Sequence, residues 1–184
     1  YVRIFRKAGS QLLDLINDGV RAPTASQIAQ RAGVSVRSVF QHFSDLEALY
    51  EDLAGEQRER VAPLLASLQR PQHLSDRIDA LVAHRSELFE TIAPVRHAIG
   101  GRSADSPALR GRLEELSAAL RAQLGELFAD ELGGSGAEQP GTTLDALDVA
   151  CSFEAWDRLR VQQHLSPADA ATVMRRMVTA LLPA

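Results

Sequence analysis

Apolar residues recur every three or four positions along almost the whole chain of 184 residues, and this spacing constrains the fold more than any other feature. Such a period places apolar side chains on one face of an α-helix, whereas a half-buried strand would alternate every two residues. Runs of β-branched residues, which favour strands, are scarce. The sequence therefore predicts an all-α protein, in which a linking helix joins a small N-terminal module to a larger helical part.

The N-terminal module is predicted from its helix caps. A first helix is expected from about Val2 to Asn17, and a second begins at Thr24 in a capping box. Gly33 suits the left-handed conformation that ends a helix, and Ser35 can cap a third helix directly afterwards. Two short helices joined by a glycine turn form a helix-turn-helix, in which the first braces the second and leaves its outer face free for a DNA major groove.

The outer face of the third helix carries side chains that suit nucleic acid. Val36 and Val39 are expected to point inward. Arginine suits guanine, glutamine suits adenine, and hydroxyl groups at helix N-termini suit phosphates. The outward residues are Arg37, Ser38, Gln41 and His42, with Phe40 at the edge.

Charge is distributed unevenly along the chain, whose net charge is −4. Residues 1–50 carry six basic and four acidic side chains, and the remainder of the chain carries 14 basic and 20 acidic ones. No acidic residue occurs between Asp18 and Asp45, where it would repel a phosphate backbone. A polyanion partner would therefore be met by the N-terminal part.

Residues 24–53 resemble the DNA-binding module of the TetR family of transcriptional repressors. The segments that carry the resemblance, besides Thr24, are Ile28-Ala29, Ala32-Gly33-Val34-Ser35, Val39-Phe40, His42-Phe43 and Glu47-Ala48-Leu49. The resemblance implies a helix-turn-helix DNA-binding domain over residues 1–53 and a helical ligand-binding and dimerisation domain over residues 54–184. It also implies a double-stranded operator as partner and a homodimer in which the last two helices of each subunit build a four-helix bundle.

Site residues follow from the resemblance position by position. It implies phosphate contacts from Thr24 and Ser35, and backbone contacts from Phe40 and His42. It implies base or phosphate contacts from Arg37, Ser38 and Gln41. The alternatives are that Thr24 only caps a helix, that Phe40 and Phe43 pack against the module, and that Arg37 and Gln41 are solvated.

One position departs from the family pattern. The family usually has a lysine three positions after Phe43, and this chain has Leu46 there. One ion contact to a phosphate is therefore missing. Ser44 and the neighbouring backbone N–H groups are expected to hold that phosphate instead.

Further helices are predicted along the C-terminal part. A helical pattern from Gln57 to Gln69 is expected to break or kink at Pro63, and one from Ser75 to Ile99 is expected to kink or end at Pro94. A long helix begins after Ser106-Pro107, and residues 133–141 form a flexible loop by composition. One helix from Thr143 to about Gln163, covered on both sides, and a last one that begins at Ser166 complete the prediction.

A ligand site is expected among apolar side chains of this part. Only four aromatic residues lie beyond position 50, so a cavity would be lined mostly by aliphatic side chains, and the effector would be small and apolar. Residues on either side of the predicted break at Pro94 are favoured, since a broken helix can open a cavity. The candidate ligand-binding residues are Phe89, Ile92, His97, Phe128, Phe153 and Trp156, each with ordinary core packing as its alternative.

Four residues with polar or reactive side chains need an explanation. Asp148 falls on an apolar arc, where an unpaired carboxylate is costly to bury, so it needs an arginine across the dimer or a cationic inducer. His84 and Glu87 are better interpreted as a solvated face than as metal ligands. Cys151, the single cysteine, is expected to be a small buried hydrophobic residue.

The leading hypothesis is a homodimeric repressor that a small apolar effector releases from a palindromic operator. A transcriptional activator is one alternative, and an interaction or ligand-binding module with degenerate DNA binding is another, which Leu46 would favour. An enzyme has little support, because no paired-histidine metal motif, nucleophile elbow, phosphate loop or dinucleotide fingerprint occurs. No metal or cofactor is expected.

Location is inferred from what the sequence lacks. A run of about 18 apolar residues does not occur, and the N-terminus lacks the apolar core of a secretory signal, so no membrane partner is expected. A single cysteine cannot form an intramolecular disulfide, which fits the cytoplasm. The chain starts inside the first helix, so a basic N-terminal arm is expected to be absent or to lie outside this sequence.

Overall fold

The computed structural model describes residues 11–12, 14–15, 18–20, 23–42, 46–100, 106–133 and 140–182. These residues contain helices and connecting turns and no strand, so the protein is all-α, as predicted. Of the predicted first helix, positions 11, 12, 14 and 15 are helical, and the others lie outside the described residues. The helices are α1 (Ala25–Ala32), α2 (Val36–His42), α3 (Leu46–Leu65), α4 (Leu74–Gly100), α5 (Pro107–Leu127), α6 (Ala129–Gly133), α7 (Pro140–Ala150), α8 (Phe153–Asp157), a π-helix (Arg158–Gln162) and α9 (Pro167–Leu181).

The helix-turn-helix is held by the local signals that the sequence predicts. The Thr24 hydroxyl accepts the backbone N–H of Gln27 at 3.3 Å, and the Gln27 side chain accepts the N–H of Thr24 at 2.8 Å. Gly33 ends α1 in the left-handed region, with φ 66°. Ser35 starts α2 by accepting the N–H of Ser38 at 3.0 Å. The turn between α1 and α2 is therefore set by residues adjacent in sequence.

Neither Pro63 nor Pro94 ends its helix, and a kink at each position stays a prediction. Pro63 lies within α3, which continues to Leu65, so the linking helix and the next predicted helix are one. Pro94 lies inside α4, which continues to Gly100 instead of ending there. Proline removes one backbone hydrogen bond and costs about 3 kcal/mol in a helix interior. Beside Pro94 the helix buries Ile92 and Val95 to 2% and 3% exposure, and this packing offsets the lost bond.

The prediction of one helix from Thr143 to Gln163 is wrong. α7 ends at Ala150, and Ser152 starts α8 by accepting the N–H of Ala155 at 3.1 Å, while its own hydroxyl donates to Val149 O at 2.8 Å. Serine competes in this way with the helical hydrogen bonds of the backbone. The two predicted arcs therefore do not continue across the break, and Val149 is 70% exposed instead of covered.

The last helix agrees with the prediction. Ser166 caps α9 by accepting the N–H of Asp169 at 3.1 Å, and a proline occupies its first turn. α9 packs against α7 and the π-helix. Its central buried residues are Ala170, Met174 and Val178.

The chain divides into two compact units. One comprises Tyr1–Ala62 and Ile92–Arg112, and the other comprises Pro63–Thr91 and Leu113–Ala184. The functional boundary after residue 53 is a different division, and it stays a prediction. Among the described residues, no helix combines the length and the apolar character needed to span a membrane.

Candidate nucleic-acid interface and effector region

α2 presents one face to the module and another to solvent. Ile28, Ala29 and Ala32 of α1 are buried, and so is Val39 of α2, at 2% exposure. α1 packs directly against α2. The buried side of α2 therefore anchors the helix, and its caps define where it begins.

The predicted DNA-binding residues lie on the exposed side wherever the structure describes them. Thr24, Ser35 and Arg37 are exposed, Ser38 is half-buried, and Phe40 is 48% exposed. Gln41 and His42 belong to α2, but their side chains are outside the description, as is Ser44 altogether. The exposure of Phe40 leaves half of its surface for a partner, so packing alone does not account for it.

Val36 was expected to point inward, but it is 38% exposed. Val36 opens α2, and a helical side chain covers the turn that precedes its own Cα. For Val36 that turn is the connection at Gly33 and Ser35, both of which are exposed. The helical period places Val36 on the same side as Val39. Because Val36 is the first residue of α2, no preceding helical turn lies under its side chain.

Two arginines of the module differ in their partners. Arg31 of α1 forms an ion pair with Asp18 at 2.5 Å. Arg37 of α2 forms no ion pair with any described residue. The hydroxyl of Thr24 also donates to Gln27, at 3.0 Å, whereas that of Ser35 only accepts. Arg37 and Ser35 therefore have donors available on the exposed side.

Comparison with known proteins agrees with this geometry. Residues 14–53 match the family model of bacterial regulatory proteins of the tetR family. Over these residues the chain is similar to TetR-family regulators. The match covers α1, α2, the turn between them and the first part of α3. A search of curated proteins finds no match to the chain.

Three solved structures share the fold of almost the whole chain. A transcriptional regulator from Rhodococcus sp. Rha1 aligns with a TM-score of 0.74 at 20% identity, over 96% of this chain and 95% of that one. A candidate TetR-family regulator from Mesorhizobium loti MAFF303099 gives 0.65 at 16% identity, over 98% and 95%. A candidate transcriptional regulator from Streptomyces coelicolor A3(2) gives 0.62 at 21%, over 96% and 99%. At these identities the likeness concerns the fold.

Three of the six candidate ligand-binding residues form one cluster. The Phe89 ring lies 5.8 Å from that of Phe153, edge to face, and 6.3 Å from that of Trp156. Phe128 is fully buried in the same unit, without a ring contact to these three among the described pairs. Ile92 and His97 belong to the other unit. The structure therefore brings together only the aromatic part of the predicted site.

An acidic residue that the sequence analysis missed supports this aromatic cluster. The Trp156 indole N–H donates to Glu90 at 2.9 Å, and Arg160 donates to both oxygens of that carboxylate, at 2.7 and 3.1 Å. These donors, Arg160 first, lower the pKa of Glu90. A buried tryptophan usually needs an acceptor for its N–H, so Trp156 alone indicated that a polar partner such as Glu90 lies beside it.

A second polar cluster surrounds Arg85, which is fully buried. Its guanidinium donates to Gln123 Oε1 at 2.8 Å, to Leu120 O at 3.0 Å and to His84 Nδ1 at 3.0 Å. Since His84 Nδ1 accepts, the proton of the neutral ring is on Nε2, and it is donated to Leu64 O at 2.9 Å. His84 is therefore buried instead of solvated, and burial lowers its pKa.

This cluster also holds the C-terminal end of α3. His84 binds Leu64 O, and the amide of Gln123 donates to Leu65 O at 2.6 Å. The last four carbonyl groups of an α-helix accept no N–H from within the helix, so they need donors from elsewhere, such as these side chains. Arg85 lies between Leu81 and Phe89 at helical spacing, so its place on a buried stripe was the signal that the sequence analysis missed.

Asp148 has its partner within the chain. Arg121 donates to Asp148 at 3.4 Å and to Asp145 at 2.5 Å, and the Asp148 side chain is 37% exposed. Neither an arginine across a dimer nor a cationic inducer is required, because α7 turns this side chain toward α5 at a half-exposed position. The described residues contain no cluster of three or more histidine, cysteine or acidic side chains suited to a metal ion.

Proposed function

We propose that this protein is a TetR-family transcriptional regulator, namely a homodimeric repressor that binds a palindromic operator through α2 and is released by a small effector. The observation that carries this proposal is the exposed face of α2. Arg37 lies there without an ion pair among the described residues, on a helix anchored by Val39 and capped by Ser35. A side chain in this position is able to reach base edges in a major groove.

Contacts to DNA are assigned by the chemistry of each side chain. Arg37, Ser38 and Gln41 read bases or bind phosphates, as proposed from the sequence. Thr24 and Ser35 bind phosphates at the N-termini of α1 and α2. The Ser35 hydroxyl has its donor available, whereas that of Thr24 exchanges its bond to Gln27 for one to a phosphate. Phe40, His42 and Ser44 complete the proposed contacts to the DNA backbone.

A second copy of the chain is proposed to pack on the last helices. Val149 of α7 is 70% exposed, and Val161 of the π-helix is 44% exposed. On α9, Val173, Met177 and Leu181 are only half-buried. A twofold dimer would cover apolar surface of this kind and place two copies of α2 about 34–36 Å apart, one turn of DNA.

Effector binding is proposed to act through α3, in a domain that comprises residues 54–184. This helix follows α2 directly along the chain, and His84 and Gln123 hold its last carbonyl groups. An effector beside the aromatic cluster of Phe89, Phe153 and Trp156 would bind one turn from His84 and Arg85. Release of the operator then requires only that the effector prefers one of two arrangements of the end of α3.

The test is binding of the purified natural protein to DNA from around its own coding region, titrated against salt. We expect a dimer on a near-palindromic site and a steep decrease in affinity with salt, because each phosphate contact releases counterions. A reporter placed behind that site separates repression from activation. If no sequence competes better than random DNA at low salt, the proposal of a specific operator is wrong, and an interaction or ligand-binding module replaces it.

A further inference from the structure

Arg85 is a buried cation whose hydrogen-bond partners are all neutral. Its side chain is fully buried, and its acceptors are an amide oxygen, a backbone carbonyl and an imidazole nitrogen. The Nε–H has no acceptor among the described residues. Burial lowers the pKa of Arg85 to about 10, so the guanidinium remains charged at neutral pH.

The two groups nearby that could carry a negative charge do not neutralise Arg85. Burial raises the pKa of Cys151 to about 12, so its thiol is protonated and neutral at pH 7. The carboxylate of Asp148 raises the pKa of Arg85 through space, but it forms its ion pair with Arg121. A buried charge without a counterion is costly, even when neutral acceptors surround it. The site is therefore chemically incomplete for a cation.

The position of Arg85 adds an apolar neighbour to this positive charge. Phe89 follows it by one helical turn on α4, about 6 Å along the axis. Phe89 contacts the rings of Phe153 and Trp156, and all of these residues belong to the same unit. A cation at one end and aromatic rings at the other match a molecule with an acidic head and an apolar body.

We infer that Arg85 binds the carboxylate of the effector, and that the effector is a small apolar carboxylic acid. The inference rests on the proposed response of the C-terminal part to an effector, and it specifies the chemistry of that effector. A carboxylate offers two anionic oxygens in a geometry that a guanidinium binds through two parallel N–H groups, here those of Nη1 and Nη2, whose present acceptors include Gln123 and Leu120 O. The apolar body of the acid lies along Phe89.

Binding at Arg85 has a defined consequence for α3. Because the site is closed, the carboxylate replaces a neutral acceptor, and the side chain of Gln123 is the one that can rotate away. The same amide donates to Leu65 O at the end of α3. Binding of an acid at Arg85 therefore removes a hydrogen bond from the C-terminal end of α3. In the sequence, α3 directly follows α2, the proposed DNA-binding helix.

The experiment compares carboxylates with neutral molecules of the same size. The natural protein is titrated at pH 7.5 with octanoate and 1-octanol, and with 3-phenylpropionate and 3-phenylpropanamide. Fluorescence of Trp156, the single tryptophan, reports binding, and thermal unfolding confirms it. A hydrogen bond to a charged group is worth enough to favour the carboxylates by about tenfold or more.

Two matched pairs of variants locate the preference. Arg85→Met removes the buried cation. Arg121→Met is the control, because it removes a partly exposed arginine that is paired with Asp145 and Asp148. We expect the first to abolish the preference for carboxylates and the second to retain it. Arg85→Lys keeps a charge in the site but cannot form the paired contact, so we expect it to reduce the preference severalfold, whereas Arg121→Lys leaves it unchanged. This second pair decides the matter even if Arg85→Met does not fold.

The inference is overturned if the neutral molecules bind as tightly as the carboxylates, if no carboxylate of the series binds, or if Arg85→Lys keeps the full preference. Operator binding is measured on the same samples with and without the carboxylate. A carboxylate that binds at Arg85 without changing operator affinity supports the site and contradicts the proposed effector response. Release of the operator by the neutral molecules supports the effector response and contradicts the acidic effector.

Discussion

Arg37 and Arg85 are both arginines without an ion pair among the described residues, but their environments are opposite. Arg37 is exposed on α2, where solvent stabilises its charge and a DNA backbone can approach it. Arg85 is fully buried on α4, where three neutral acceptors stabilise it. We propose that the two environments serve recognition in two ways: a cation at the surface meets a polyanion, and a buried cation binds a single anion inside the protein.

The two regions also differ in how they are built. The helix-turn-helix depends on interactions between residues within a few positions of each other, such as the Thr24 capping box and the Gly33 turn. The C-terminal unit depends on contacts far apart in sequence, for example Gln123 with Leu65 and Trp156 with Glu90. Changes in caps and turns should therefore act locally in the first region, whereas changes in the second should act on several helices.

The largest expected change in stability comes from Gly33→Ala. Gly33 has φ 66°, a left-handed conformation that costs alanine about 1 to 2 kcal/mol. Gly125→Ala in α5 is the matched control, because a Cβ there meets nothing within 4 Å and the residue lies inside a helix. We expect the control to stabilise the protein by about 0.5 to 1 kcal/mol. Opposite shifts of the thermal midpoint confirm the contrast, and shifts of the same sign contradict it.

Caps in the two regions provide the next comparison. Thr24→Ala and Ser152→Ala each remove a side chain that accepts a backbone N–H at the start of a helix, and each should destabilise by about 1 kcal/mol. Hydrogen exchange of the backbone amides distinguishes the regions. We expect faster exchange confined to α1 and α2 for Thr24→Ala. For Ser152→Ala we expect it to spread from α7 and α8 to α9 and α4, which they contact although these helices are not adjacent to them in sequence. Equal spreading in both variants would contradict the difference between local and long-range construction.

The smallest expected effect concerns Glu90. Donation from Arg160 and Trp156 lowers its pKa below the usual value of 4.5, so folding favours the charged carboxylate. This contribution is fully present above pH 4.5 and is lost as pH falls through the lowered pKa of the native state. Because the side chain is 39% exposed, solvent screening keeps the contribution below about 1 kcal/mol. We expect urea unfolding to lose more stability between pH 6 and pH 3 in the natural protein than in Glu90→Gln, and equal losses would show that the interaction is not stabilising.

Much of the fold could be predicted from the sequence because its strongest signals are local. Thr24, Gly33, Ser35 and Ser166 act on neighbouring backbone groups, and each performs the predicted role. The helical period likewise identified the all-α fold. The exposed position of Arg37 was predicted from the helical period of α2, which places Val39 on the buried side. The contacts of the proposed interface with DNA stay a prediction.

The misjudged features depend on neighbours that are distant in sequence or on the ends of helices. Pro94 was expected to end or kink α4. It does not end the helix, because the packing of Ile92 and Val95 maintains the helix through that position, and the kink stays a prediction. Asp148 was assigned a partner outside the chain, because the pairing with Arg121 of α5 leaves no local trace. Arg85 could have been found, since it interrupts an apolar stripe at helical spacing. Two of its three neutral acceptors could not, because they come from residues 35 and 38 positions away.

The central claim is that α2 reads DNA through Arg37, and the most direct measurement is the ratio of operator to random-DNA affinity in two variants. Arg37→Ala removes the proposed reading residue, and Arg60→Ala removes an exposed arginine from α3 as the control. We predict that Arg37→Ala lowers the ratio about 10- to 100-fold with an unchanged thermal midpoint, and that Arg60→Ala leaves it within about twofold. Equal ratios in the two variants would contradict the assignment of Arg37 and of the α2 face as the reading surface.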